Sequence, residues 1–130
     1  MTEIAPCLKK RERMVSRKLI DTLFGGGCSQ SMAAFPLRAI FTNKERAQED
    51  APVQILISVP KKRFKHAVDR NRVKRQIREA YRQHKQMLYD VLPENQQLLL
   101  AFIWLSDHHC PSQEVQARVI TLMQRIAEKE

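Results

Sequence analysis

The run Leu98–Leu105, LLLAFIWL, most constrains how this chain can fold. Eight consecutive apolar residues offer no polar face to water. As a strand they need cover on both sides or nearly so. The run is far below the roughly 18–20 residues that span a bilayer. It therefore predicts a central strand over Gln97–Leu105, with Trp104 in the core. Other segments must pair with this strand or cover it.

Partners for it are legible nearby. Val53–Val59, VQILISV, reads as a strand. Ile55, Ile57 and Val59 share one face, Gln54, Leu56 and Ser58 the other, and Pro60 ends it. Phe35–Asn43, FPLRAIFTN, reads as a second strand with Pro36 at its start or on an edge. Residues 28–34 are small and polar and fit a short edge strand. Lys44–Pro52 is a charged loop suited to a hairpin connection.

Cover comes from helices. Ser16 fits the cap of a short helix to about Phe24, with Leu19, Ile20, Leu23 and Phe24 apolar. Gly25, Gly26 and Gly27 end it. They are no phosphate loop, because the closing Lys-Ser/Thr is absent. A longer helix begins between His66 and Asn71, with Asp69 and Asn71 as candidate caps, and runs to about Asp90 before Pro93. Its stripe is Val73, Ile77, Ala80, Tyr81 and Leu88. A last helix starts at Ser112, with Val115, Val119, Leu122 and Ile126 inward. The 130 residues thus predict one α+β domain, 1–130, a three- to four-stranded sheet packed with helices in the order α-β-β-β-α-β-α. Residues 1–15 are expected to form a flexible basic arm with Lys9, Lys10, Arg11 and Arg13.

Charge sets this chain apart. Lys61–Lys85, KKRFKHAVDRNRVKRQIREAYRQHK, holds 11 of the 23 Lys and Arg residues and only two acids, Asp69 and Glu79. Its net charge of +9 equals that of the whole chain. Arg70, Lys74, Arg78 and Arg82 recur every four residues and stack along one helix face. Like charges at that spacing cost an isolated helix roughly 0.2–0.5 kcal/mol per pair. Either the row is a solvated face, or it meets a polyanion. Solubility surfaces intersperse both signs, and this one does not. Together with a pI near 9.9, that favours nucleic acid as the partner.

A self-sufficient active site is not apparent. The acids are scattered, whereas a metal-dependent nuclease clusters carboxylates. His66 and His84 would stand about 27 Å apart on one helix and cannot act as a pair. Ser58 has no evident base. Cys7, Cys28 and Cys110 form no CxxC pair, and free thiols suit a reducing compartment. His108, His109 and Cys110 read as a polar loop. No catalytic residue and no metal ligand is assigned to the protein. The N-terminus lacks the apolar run of a signal peptide, so a cytoplasmic protein with no membrane partner is expected.

The string SVPKKRFKHAVDRNRVKRQIREAYR resembles the signature of the bacterial ribonuclease P protein component. In that family a strand ending Ser-Val precedes Lys-Lys, and Arg-Asn-Arg opens a helix with the pattern R-N-R-hydrophobic-K-R-x-hydrophobic-R. The matching positions are Ser58, Val59, Lys61, Lys62, Arg70, Asn71, Arg72, Val73, Lys74, Arg75, Ile77 and Arg78. KKRERMVSRKLIDTLFGGG resembles the family's basic arm and first helix, while the last third matches only in element order. The resemblance implies a fold like ribosomal S5 domain 2, with a left-handed βαβ crossover where the general rule is right-handed. It implies a protein that binds a catalytic RNA, with which it removes the 5′ leader of precursor tRNA. The RNA carries the chemistry with Mg²⁺, and no organic cofactor is implied.

By position, the resemblance assigns RNA contact to Arg70, Asn71, Arg72, Lys74, Arg75 and Arg78, with Lys61 and Lys62 at the mouth of that surface. The neighbouring Arg63, Lys65 and Arg82 extend the basic set. It also implies a leader-binding cleft between the first helix and the sheet, with candidates Ile20, Phe24, Phe41 and Ser58. Ile20 stands where an aromatic is common, Leu56 where Gly is common, and Pro60 where a small residue is common. From the residues alone, Ile20 and Phe24 also fit a core role, and Asn71 a cap. The rival readings are a structural or assembly-type RNA binder and a DNA-binding regulator. No short helix precedes the basic one to complete a helix-turn-helix, so DNA is not expected.

Overall fold

The computed structural model describes Ile20, Leu23, Phe24, residues 29–46 and residues 51–129. The described residues form four strands, β1 (Gln30–Ala34), β2 (Leu37–Glu45), β3 (Val53–Ser58) and β4 (Gln96–Trp104). They also form three helices, α1 (Ala67–His84), α2 (Gln86–Tyr89) and α3 (Ser112–Lys129). Ile20, Leu23 and Phe24 have helical backbone. No described helix is long and apolar enough to cross a membrane.

The apolar run is central, as its composition demands. The sheet order is β1-β2-β4-β3, and Leu98 to Phe102 are all fully buried. β1–β2 and β2–β4 pair antiparallel, and β3–β4 pair parallel. Two expectations change here. Lys44–Pro52 does not close a hairpin, because β4 lies between β2 and β3. A strand apolar on both faces gains most with neighbours on both edges, and that displaces the local pairing. Phe35 and Pro36 form the β1–β2 turn, joined by a cis peptide bond, and β2 begins after them at Leu37.

The parallel β3–β4 pair needs a crossover, which α1 and α2 supply. Asp69 and Asn71 are not its caps. The residue before α1 is His66, in extended backbone with no side-chain cap, and the Asp69 and Arg70 amides donate to its carbonyl at 3.2 and 3.3 Å. Asp69 lies in the first turn instead, where a carboxylate opposes the positive helix end. The expected long helix is divided at Lys85 into α1 and the short α2.

The two sides of the sheet are covered differently. Leu37, Ala39, Phe41, Val53, Ile55, Leu98, Leu100, Phe102 and Trp104 face α1 and α3. There they meet Val73, Ile77, Ala80 and Tyr81 from α1 and Val115, Val119, Leu122, Met123 and Ile126 from α3. Tyr81 packs edge-on to Phe102, centroids 6.4 Å apart. On the other side, Leu99 and Ala101 form a smaller cluster with Leu23, flanked by Ile20, Ile40 and Leu56. The Ser29 hydroxyl donates to the Leu23 carbonyl and ties that backbone to the start of β1.

Candidate nucleic-acid interface

The inward spacing of α1 determines where its cations go. Val73, Ile77, Ala80 and Tyr81 are buried, so residues off that stripe face outward. At about 100° per residue, Arg70, Lys74, Arg78 and Arg82 run along one flank of the stripe. Gln76 lies on the other flank, and its Nε2 donates to the Cys110 carbonyl and the Ser112 hydroxyl, both at 3.1 Å. α1 packs over β3, while α3 packs over β1 and β2. The arginine flank therefore looks out past the β3 edge. Asn71, Arg72 and Arg75 are exposed on the outer face, and Lys74, Arg78 and Arg82 are half-buried. Basic side chains thus wrap the outer half of the helix.

The segment before α1 adds to this surface. Lys61, Lys62 and Lys65 are exposed, whereas Phe64 is only 8% exposed and anchors the segment. Three expected RNA contacts, Arg63, Arg70 and Arg82, have partners within the protein. Arg63 pairs with Asp107 at 3.3 Å. Arg70 turns back, its Nη1 donating to the carbonyls of Phe64 and Lys65 at 2.8 and 3.0 Å. A guanidinium has five donors, so Arg70 can brace the segment and still face a phosphate. Arg82 bonds Glu79 at 2.8 Å. That hydrogen bond is the largest effect and holds the Glu79 carboxyl below its ordinary value; desolvation opposes it, and the charges of Arg82 and then Arg78 add to the lowering. One arginine is thus partly neutralised in the middle of the basic face.

The cleft candidates separate by strand parity. Phe24 is 47% exposed, and Ile20 is half-buried against the Leu23 cluster. Ser58 alternates with Leu56 on that same side of the sheet. Phe41 does not belong with them. It is 1% exposed and faces the helices, because it alternates with Ile40 and shares its side with Leu37 and Ala39. Ile40, which is not among the residues expected from the sequence, lies on this side instead, across Ala101 of β4 from Leu56. A signal for this existed. Leu37, Ala39 and Phe41 are uniformly apolar, whereas Arg38, Ile40 and Thr42 are mixed, the pattern of a partly covered face. The arm residues Lys9, Lys10, Arg11 and Arg13, and the Ser16 cap, lie outside the described residues.

An α+β sandwich in which one helix carries six Lys or Arg residues against two acids, beside a partly covered sheet face, has the character of a nucleic-acid-binding protein. Comparison with known proteins makes the class specific. The chain belongs to the Ribonuclease P family, whose model matches residues 8–127. It is 46% identical over 103 residues to the ribonuclease P protein component of Porphyromonas gingivalis, covering 77% of this chain and 72% of that one. To the Chlorobium phaeobacteroides ribonuclease P protein component it is 39% identical over 90 residues, 67% and 60% of the two chains. The fold is similar to that of a mutant RNase P protein of Staphylococcus aureus, with TM-score 0.69 and 22% identity over 92% and 90% of the chains. The Thermotoga maritima RNase P protein gives TM-score 0.66 and 20% identity over 88% and 96%. As a family member, the chain is a subunit of the tRNA-processing endoribonuclease ribonuclease P and a partner of ribonuclease P RNA.

Proposed function

We propose a division of labour across the edge strand β3. The cations of α1 and of residues 61–65 bind ribonuclease P RNA. The partly open sheet face receives the single-stranded 5′ leader of precursor tRNA, and so raises substrate affinity. Planar guanidinium forks suit phosphate oxygens, and an exposed ring suits an unstacked base. The observation that carries this reading is Phe24, 47% exposed and next in the chain to Leu23, which packs on the sheet side that also presents Ile40 and Leu56.

Mg²⁺ belongs in this scheme with the RNA and the substrate phosphates. Among the described residues no three of His, Cys, Asp or Glu are grouped to hold a metal ion. The protein's part is to bind and orient, in the cytoplasm.

The test is reconstitution at low Mg²⁺. Precursor tRNA is incubated with cognate ribonuclease P RNA, with and without this protein, and with the protein alone. The proposal expects strong stimulation by the protein, correct 5′ cleavage, and no cleavage by the protein alone. If the RNA cleaves as well without the protein, the chain serves as a structural RNA binder instead.

A further inference from the structure

The segment between β4 and α3 grips the basic segment before α1. The His109 ring stacks on Phe64, centroids 4.5 Å apart and planes 17° from parallel. Its Nε2 lies 3.1 Å from Asp69 Oδ1 in the first turn of α1. An ionised carboxylate only accepts, so this contact takes an N–H from Nε2, while Nδ1 is buried with no partner among the described residues. Two residues earlier, Asp107 holds Arg63. One residue later, the Cys110 carbonyl accepts from Gln76 of α1. The Lys61–His66 segment belongs to no strand or helix. It is held at Arg63 and Phe64 from this side, and at the Phe64 and Lys65 carbonyls by Arg70.

We propose that His109 is a positioning residue for RNA binding: by stacking on Phe64 and bonding Asp69, it fixes Lys61, Lys62 and Lys65 beside the start of α1. The chemistry explains the residue type. Imidazole offers a flat face for Phe64 and an N–H for Asp69 at once, whereas phenylalanine offers only the face and alanine neither. Pre-ordering the segment removes an entropic cost that would otherwise fall on RNA binding. The inference depends on the RNA-binding reading of α1, and its test separates the two.

The unaltered protein, His109→Ala and His109→Phe are compared in two assays at a temperature where all three are folded. Limited trypsin digestion, read by mass spectrometry, measures cleavage at Lys61, Lys62, Arg63 and Lys65. Binding to ribonuclease P RNA is measured across a salt series. His109→Ala is expected to raise cleavage in the segment about tenfold and to weaken binding about tenfold, roughly the loss of one good interaction. Its salt slope falls by about one for each phosphate no longer neutralised. His109→Phe recovers part of both. Unchanged cleavage, or faster cleavage with unchanged affinity and slope, overturns the positioning role. If the unaltered protein shows no salt-dependent RNA binding, the RNA-binding reading fails and this inference with it. The digestion result then still reports whether His109 holds the segment.

Discussion

Helices α1 and α3 are matched in length and differ in what they present. Each has 18 residues, and they lie side by side on one face of the same sheet. Their inner stripes are interchangeable in kind: Val73, Ile77, Ala80 and Tyr81 against Val115, Val119, Leu122, Met123 and Ile126. Outside they diverge. α1 carries six Lys or Arg residues against two acids, and α3 three against two. The cations of α3 also serve the fold. Arg125 donates to the Ala33 carbonyl at 3.2 Å and Lys129 to Gln30 at 3.0 Å, both onto β1. On α1, Arg72 and Arg75 are exposed on the outer face. The inward spacing places a helix, and the residues left over decide its use.

That comparison is sharpened first at the core, where the effects are largest. Ile77→Ala and Leu122→Ala should each cost about 2–5 kcal/mol, because both side chains are fully buried. Chemical denaturation measures this. A cost well under 1 kcal/mol for one of them alone would break the equivalence of the inner faces. Next, Phe24→Ala should remove up to about 1–3 kcal/mol of the holoenzyme's preference for precursor over mature tRNA, the scale of one base stack. Its melting temperature should barely move. A lower melting temperature with the preference intact would make Phe24 a core residue.

The smallest effect is electrostatic. Glu79 has its pKa lowered chiefly by its bond to Arg82, so the folded state favours the carboxylate. The resulting stability is present above the unfolded pKa, near 4.5, and is lost as pH falls through the lower folded value. Melting curves of the unaltered protein and Glu79→Gln should differ slightly at neutral pH and converge at acid pH. A difference that widens on acidification would contradict the assignment.

Much of this was legible in the sequence, and the omissions have physical causes. The central strand, the two long helices and their buried residues follow from local periodicity, which each segment carries within itself. The edge strand at Gln30–Ala34 was likewise within reach. Sheet order was not, because whether β2 pairs with β3 or with β4 depends on which strand most needs two neighbours. Phe41 was misplaced although β2 carried a signal: Leu37, Ala39 and Phe41 are uniformly apolar and Arg38, Ile40 and Thr42 mixed, which marks the closed face that the burial of Phe41 shows. His109 read as part of a polar loop because its partners, Phe64 and Asp69, are 40 or more residues away in the chain.

The most direct test compares the salt dependence of ribonuclease P RNA binding for Arg72→Ala/Arg75→Ala with that for Arg118→Ala/Arg125→Ala. Each pair removes two positive charges, and the α3 pair also removes the Arg125 bond to the Ala33 carbonyl, so both variants are compared in their folded state. The α1 pair should weaken binding and lower the salt slope by about two, one for each phosphate left without its arginine. The α3 pair should leave the slope unchanged. Equal slopes for the two folded variants would mean that net charge attracts the RNA, and that α1 is not its binding face.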